Sequence, residues 1–141
     1  MKIENIFSVK DKIVLITGGS RGIGEMIASG FVANGAKVYI TARSKEVVTE
    51  TAEKLSNKYK GNCIGIPSDI SNLKGIEIFV KEIQSKEKSL DVLINNAGAA
   101  WGGSLEDFPE IGWDKVMDLN IKSLFFLTQS FLSMLEKSGS R

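Results

Sequence analysis

The chain has 141 residues, 43 % hydrophobic and 25 % charged, which fits one ordinary folded domain and excludes a disordered tail, a collagen-like chain and a bare coiled coil. Its 18 Lys+Arg against 17 Asp+Glu leave a formal charge of +1, which gives no electrostatic footprint for nucleic acid or an anionic membrane. A single cysteine, Cys63, and the lack of histidine exclude an intrachain disulfide, a thiol-based metal site and any Ser–His or Cys–His nucleophile pair.

Met1 to Asp11 carries Glu4 and Asp11 and no continuous apolar region, so no secretory signal is expected there. No run reaches the ~20 apolar residues of a membrane span, and the lone thiol fits a reducing, cytoplasmic setting. Ile13-Val14-Leu15-Ile16 is an unalternating apolar run, as expected of a strand buried on both faces in a parallel sheet. Gly24 to Asn34 follows with Met26, Ile27, Phe31 and Val32 at helical spacing, and Asn34-Gly35 is a helix stop. Lys37 to Thr41 is a second strand, and Glu46 to Tyr59 a helix with Val47, Val48, Ala52 and Leu55 inward. Cys63 to Ile66 is a third strand, stopped by Pro67, and Leu73 to Gln84 another amphipathic helix. Asp91 to Asn95 is a fourth strand. Then Trp113, Val116, Met117, Ile121, Leu124, Thr128, Phe131 and Leu135 mark one long helix over residues 111–137. Strands opening near positions 13, 37, 63 and 91 with helices between them predict a right-handed βαβ chain and a doubly wound parallel sheet. Ser138-Gly139-Ser140-Arg141 reads as a helix stop that would feed a fifth strand.

Glycine is about a tenth of the chain, and Gly18, Gly19, Gly22 and Gly24 fall together between the first strand and its helix. That is where such a sheet binds phosphate, because glycine admits close backbone approach and the helix N-terminus offers free N–H groups. A P-loop needs Lys and then Ser/Thr after its last glycine, and Glu25-Met26 stand there instead. The G-x-G-x-x-G fingerprint fails as well, since its third glycine would fall on Ile27. What is present is Thr17-Gly18-Gly19-Ser20-Arg21-Gly22-Ile23-Gly24, a T-G-x-x-x-G-x-G spacing.

No acid follows the second strand where a ribose 2′-hydroxyl would need one; Thr41-Ala42-Arg43-Ser44-Lys45 precede Glu46. Arg43, with Arg21 from the glycine loop, can pair with a 2′-phosphate, so the charges favour NADP over NAD. The alternative is two solvated surface arginines. Asn95 and Asn96 sit at a strand end beside the crevice of the sheet, where a turn would also account for the composition. Asn120 lies on the apolar stripe of the long helix and must be hydrogen-bonded, either as a structural amide or in a functional role.

The T-G-x-x-x-G-x-G spacing resembles the short-chain dehydrogenase/reductase family, and Asp69-Ile70, Asn95-Asn96-Ala97-Gly98 and Asn120 match in the family's order over essentially the whole chain. The resemblance implies a Rossmann-like fold binding NADP(H), with Gly18, Ser20, Arg21, Gly22, Ile23 and Gly24 as the cradle. It further implies that Asp69 accepts from the adenine amino group with the Ile70 backbone beside it, although Asp69 also suits a helix cap. Asn95 would tie neighbouring strands, and Asn96, Ala97 and Gly98 would line the ribose and nicotinamide side. Asn120 would open the helical ladder and hold a proton-relaying water, as part of the catalytic set.

The implied activity is hydride transfer between nicotinamide and a carbonyl or alcohol carbon of a small molecule, most like the NADPH-dependent 3-oxoacyl-thioester ketoreductases. The family's other catalytic groups are a Ser after the fifth strand and a Tyr-x-x-x-Lys pair. Tyr39 is followed four residues later by Arg43 and Tyr59 by Cys63, so neither tyrosine fits. Residues 1–141 are therefore expected to be a single cofactor-binding domain, the N-terminal part of the full fold, inactive alone, marginally stable and prone to self-association. The alternatives are a nucleotide-binding regulator without catalysis and an interaction fragment. In the family the long helix pairs across a subunit interface, which implies a homo-oligomer; burial within the chain's own fold is the other reading. Trp101, after the Asn-Asn-Ala-Gly run, is either a shaper of the substrate mouth or an ordinary loop aromatic.

Overall fold

Four parallel strands, β1 (Ile13–Thr17), β2 (Lys37–Ala42), β3 (Asn62–Pro67) and β4 (Val92–Ile94), form one sheet in the order β3-β2-β1-β4. The computed structural model describes residues 7–138; residues 1–6 and the Gly139–Arg141 part of the expected helix stop lie outside the described residues. Helices α1 (Gly22–Ala33), α2 (Lys45–Tyr59) and α3 (Leu73–Lys86) connect the strands. After β4 come α4 (Glu110–Met117), a π-helical turn (Asp118–Ser123) and α5 (Leu124–Lys137).

Each strand's alternate residues feed opposite faces, which is why the runs are apolar throughout. Val14, Ile16, Val38 and Ile40 pack under α1 and α2 against Ala28, Val32, Val48 and Leu55. Leu15, Tyr39 and Ile66 pack on the other face against Phe79 and Ile83 of α3 and Leu127, Phe131 and Met134 of α5. Phe79 and Phe131 meet edge to face, centroids 6.3 Å apart. Register runs Ile13↔Lys37 and Lys37↔Asn62 on one side and Val14↔Val92 on the other. The chain moves outward through β1, β2 and β3, then crosses back to place β4 beside β1. The reversal between β1 and β4 is a topological switch point, and it opens a crevice at the strand C-termini.

The doubly wound sheet agrees with the sequence reading, and the differences lie at ends and faces. Helix α1 begins at Gly22, two residues earlier than expected, because the glycine loop turns directly into it. Val47 is 43 % exposed and so does not belong to the inward face assigned to it, and Met26, among the apolar residues at helical spacing in α1, is 73 % exposed. Pro67 closes β3 within the strand rather than beyond it, and β3 is an edge strand, where a missing N–H does little harm. The single long helix is broken by the π turn, whose extra residue rotates α5 by about 100° relative to α4. The buried face of α5 is accordingly Leu127, Phe131 and Met134; of the expected stripe Phe131 is buried and Leu135 packs against the core, while Trp113, Ile121 and Leu124 are exposed.

Candidate functional site

The crevice is built on the glycine loop between β1 and α1. Gly18 (φ 66°) and Gly22 (φ 56°) take the left-handed conformation that side chains disfavour. A Cβ on Gly24 would lie 2.2 Å from the Gly18 carbonyl oxygen, so only glycine lets the helix start against the loop. The far side of the loop is held by Thr51, whose hydroxyl donates to the Ser20 carbonyl at 3.0 Å.

Thr17, the last residue of β1, joins this loop to the end of β4. Its Oγ1 accepts from the backbone N–H groups of Asn96 and Ala97, each at 3.0 Å. The Asn96 side-chain amide returns the tie, donating to the carbonyls of Thr17 (2.9 Å) and Gly18 (3.2 Å). Asn95 takes a different direction from the expected strand-to-strand tie. Its Nδ2 donates to Thr128 Oγ1 on α5 at 3.0 Å, because the short β4 ends before it.

The loop after β4 is fixed by Asn120. Asn120 Oδ1 accepts from the Ala99 N–H at 2.8 Å and Nδ2 donates to the Ala99 carbonyl at 2.9 Å, a two-point clamp like a rung of sheet. It stands within the π-helical turn. Three residues on, buried Ser123 donates to the Ile70 carbonyl at 2.6 Å and fastens the loop after β3 to the same turn.

These ties gather a cleft of about 730 Å³. Of the predicted residues, Gly18, Ser20, Arg21, Gly22, Ile23, Gly24, Arg43, Asp69, Ile70, Asn96, Ala97 and Gly98 all line it; Asn95 and Asn120 stand behind the lining. Arg21 and Arg43 are exposed and make no ion pair among the described residues, so both are available to an anion. Asp69 Oδ1 accepts from the Ser71 backbone (3.1 Å) and hydroxyl (2.7 Å), a local turn; the cap of α3 is Asn72, not Asp69.

Thr17, Thr51, Ser123 and Thr128 escaped the sequence reading as site-builders, as did Lys115 and Asp118 of the lining. The one available signal was Thr17, which opens the glycine motif. Both tyrosines lie away from the cleft. Tyr39 donates to Glu87 at 2.6 Å at the opposite end of the sheet, and Tyr59 accepts from Ser29 at 2.7 Å. What the lining can do is cradle phosphate on backbone N–H groups, neutralise a further anion with two arginines, and hold planar groups against the strand ends. No cluster of metal-ligating side chains occurs among the described residues.

A family model described as short chain dehydrogenase matches residues 12–141. A 3-oxoacyl-[acyl-carrier-protein] reductase of rhamnolipid biosynthesis from Pseudomonas aeruginosa is 45 % identical over 134 residues, covering 95 % of this chain and 52 % of that protein. The NADP active-site complex of RhlG from Pseudomonas aeruginosa superposes with a TM-score of 0.89 at 45 % identity, over 94 % of this chain and 51 % of its own. L-sorbose reductase from Gluconobacter frateurii, complexed with NADPH and L-sorbose, gives 0.88 at 26 % identity over 92 % and 49 % of the two chains. The chain thus spans about half the length of the relatives it matches.

Proposed function

The chain belongs to the short chain dehydrogenase family, and on that footing we propose that it forms the NADP-binding part of an oxidoreductase that passes hydride between nicotinamide and a carbonyl or alcohol carbon. The observation that carries this reading is the cleft, where the glycine loop faces one space with Arg21 and Arg43, which make no ion pair among the described residues. The residues fit the group. Gly22 is open to the cleft, with nothing within 4 Å of where its Cβ would stand, so a pyrophosphate can meet backbone N–H groups directly.

NADPH, when bound, supplies the hydride. Arg43 and Arg21 would bind its 2′-phosphate, and the N-terminus of α1 would hold its pyrophosphate. Asp69 and Ile70 would border the adenine, while Asn96, Ala97 and Gly98 would border the ribose and nicotinamide side. Asn120 acts by position: clamping Ala99 sets the loop against which the reacting carbon is held. The water-holding role that the family resemblance gives Asn120 belongs to this proposal. The similarity to a 3-oxoacyl-[acyl-carrier-protein] reductase supports a 3-oxoacyl thioester as the substrate. Residues 1–141 contain no Tyr-x-x-x-Lys pair, so the chain is expected to bind cofactor without turning substrate over.

Titration of the chain with NADPH and NADH, followed by nicotinamide fluorescence, tests the reading. Tighter binding of NADPH is expected. Equal affinities would overturn the choice of NADP, and no change with either would overturn nucleotide binding altogether.

A second reading rests on a separate observation. Leu124, Phe125 and Leu132 are 45–59 % exposed along α5, which supports a subunit interface on this helix.

A further inference from the structure

Beside the cleft lies a second recess of about 380 Å³, within the size range of small-molecule sites. Its walls are Trp101, Phe108, Trp113 and Met117, with Ala99 and Ala100 on the side it shares with the main cleft. No charged or hydroxyl side chain lines it. An anionic cofactor has no use for such a surface, yet the surface opens directly off the cofactor cleft.

The recess has a built wall. Trp101 lies on α4 so closely that a Cβ at Gly112 would come within 2.7 Å of its indole. Gly112 is the buried residue of α4 for that reason. Lys115, which lines the main cleft, sets its ammonium over the Trp101 ring, 5.2 Å from the centroid. On the shared side, the Asn120 clamp fixes Ala99 through both its N–H and its carbonyl. Trp101 and Trp113 remain 39 % and 58 % exposed, an apolar cost on the isolated surface that a hydrocarbon would remove.

We propose that this recess receives the hydrocarbon chain of the carbonyl substrate, so that Trp101, Trp113 and Met117 set the preferred chain length. The inference rests on the reductase reading above for the identity of the polar end, which stays in the cleft at Ala99–Ala100. The occupant is an unbranched acyl chain carrying a 3-oxo group. A sugar or another polyhydroxylated carbonyl compound would leave its hydroxyls unpaired against these walls.

Trp101 and Trp113 are the chain's two tryptophans and both line this recess, so intrinsic tryptophan fluorescence in the absence of NADPH reports on it. The chain is titrated with N-acetylcysteamine thioesters of 3-oxobutyryl, 3-oxooctanoyl and 3-oxododecanoyl groups, with NADPH binding measured in parallel. The octanoyl compound is expected to bind on the order of 100-fold more tightly than the butyryl, from about 4-fold per buried methylene. Its binding should shift the tryptophan emission to shorter wavelength. Trp113→Leu, at an exposed position, should erase most of that gain while leaving NADPH affinity unchanged. Gly112→Ala, which displaces Trp101 without altering a lining side chain, should do the same. Tryptophan emission and affinity that ignore chain length would overturn the recess assignment, even if NADPH binds normally. Failure of NADPH to bind, with the chain-length dependence intact, would overturn the cofactor reading and leave the recess standing.

Discussion

Arg21 and Arg43 stand exposed at the cleft without a carboxylate partner among the described residues, and that isolation makes their contribution readable. A charge-assisted hydrogen bond contributes about 1.5–3 kcal/mol, so Arg43→Ala should weaken NADPH binding by about 10- to 100-fold. NADH, lacking the 2′-phosphate, should lose almost nothing, and fluorescence titration of both cofactors separates the two effects. Thr17 is the opposite kind of residue, 1 % exposed and accepting from two backbone N–H groups at the end of β4. Thr17→Val keeps the shape and strands both donors, at about 1–3 kcal/mol each if water does not replace the hydroxyl. A thermal melt should therefore fall clearly; an unchanged melting temperature would mean that Asn96 and Ala97 are held by something else. The place of the glycines and of Arg43 at the cleft was legible in the sequence because it is local, set by loops between one strand and one helix. The partners of Thr17, Ser123 and Asn95 were not, because they lie 79, 53 and 33 residues away.

The π-helical turn decides where α5 points. With it, Ser123 reaches Ile70 and Leu127, Phe131 and Met134 enter the core. Of the stripe read from the sequence, Phe131 is buried and Leu135 packs against the core, while Leu124 is left exposed. Simple periodicity assumes 3.6 residues per turn throughout, and one inserted residue defeats it. The sequence signal was Asn120, an amide where an apolar residue belongs, and the structure uses it to clamp Ala99. Asn120→Leu suits the helix but leaves the Ala99 N–H and carbonyl without partners, a cost of about 1–3 kcal/mol for each group that stays buried. Hydrogen exchange should then speed up at Ala99 and neighbouring amides while α1 and α2 keep their protection. A uniform rise across the chain would indicate that the clamp holds the whole fold rather than one loop.

Across the molecule, the functional end of the sheet is open and the other end is tied shut. At the closed end Asp91 binds Lys12 (3.0 Å) and the Ile13 N–H (2.8 Å), and Glu87 binds both Tyr39 (2.6 Å) and Lys37 (2.5 Å). These ties, with Cys63, set the response to alkali. Burial pushes the Cys63 thiol from 9.0 up to about 12. Burial first, then the Glu87 hydrogen bond, raises Tyr39, and the Glu87 hydrogen bond raises Lys37. All three groups therefore hold their protons longer in the folded chain than in the unfolded one. Their contribution is complete below their unfolded values, 9.0 for Cys63, 10.0 for Tyr39 and 10.5 for Lys37, and is lost as pH rises through the folded values. The urea midpoint should accordingly fall from about pH 9 upward, measured at a fixed protein concentration. Cys63→Ala should remove the earliest part of the fall, and Glu87→Gln should lower stability at neutral pH while weakening the later part. A midpoint that stays level to pH 11 would mean that the sheet's closed end and its buried thiol titrate as they do in the unfolded chain, and the ties would then be ornaments of the fold rather than contributors to it.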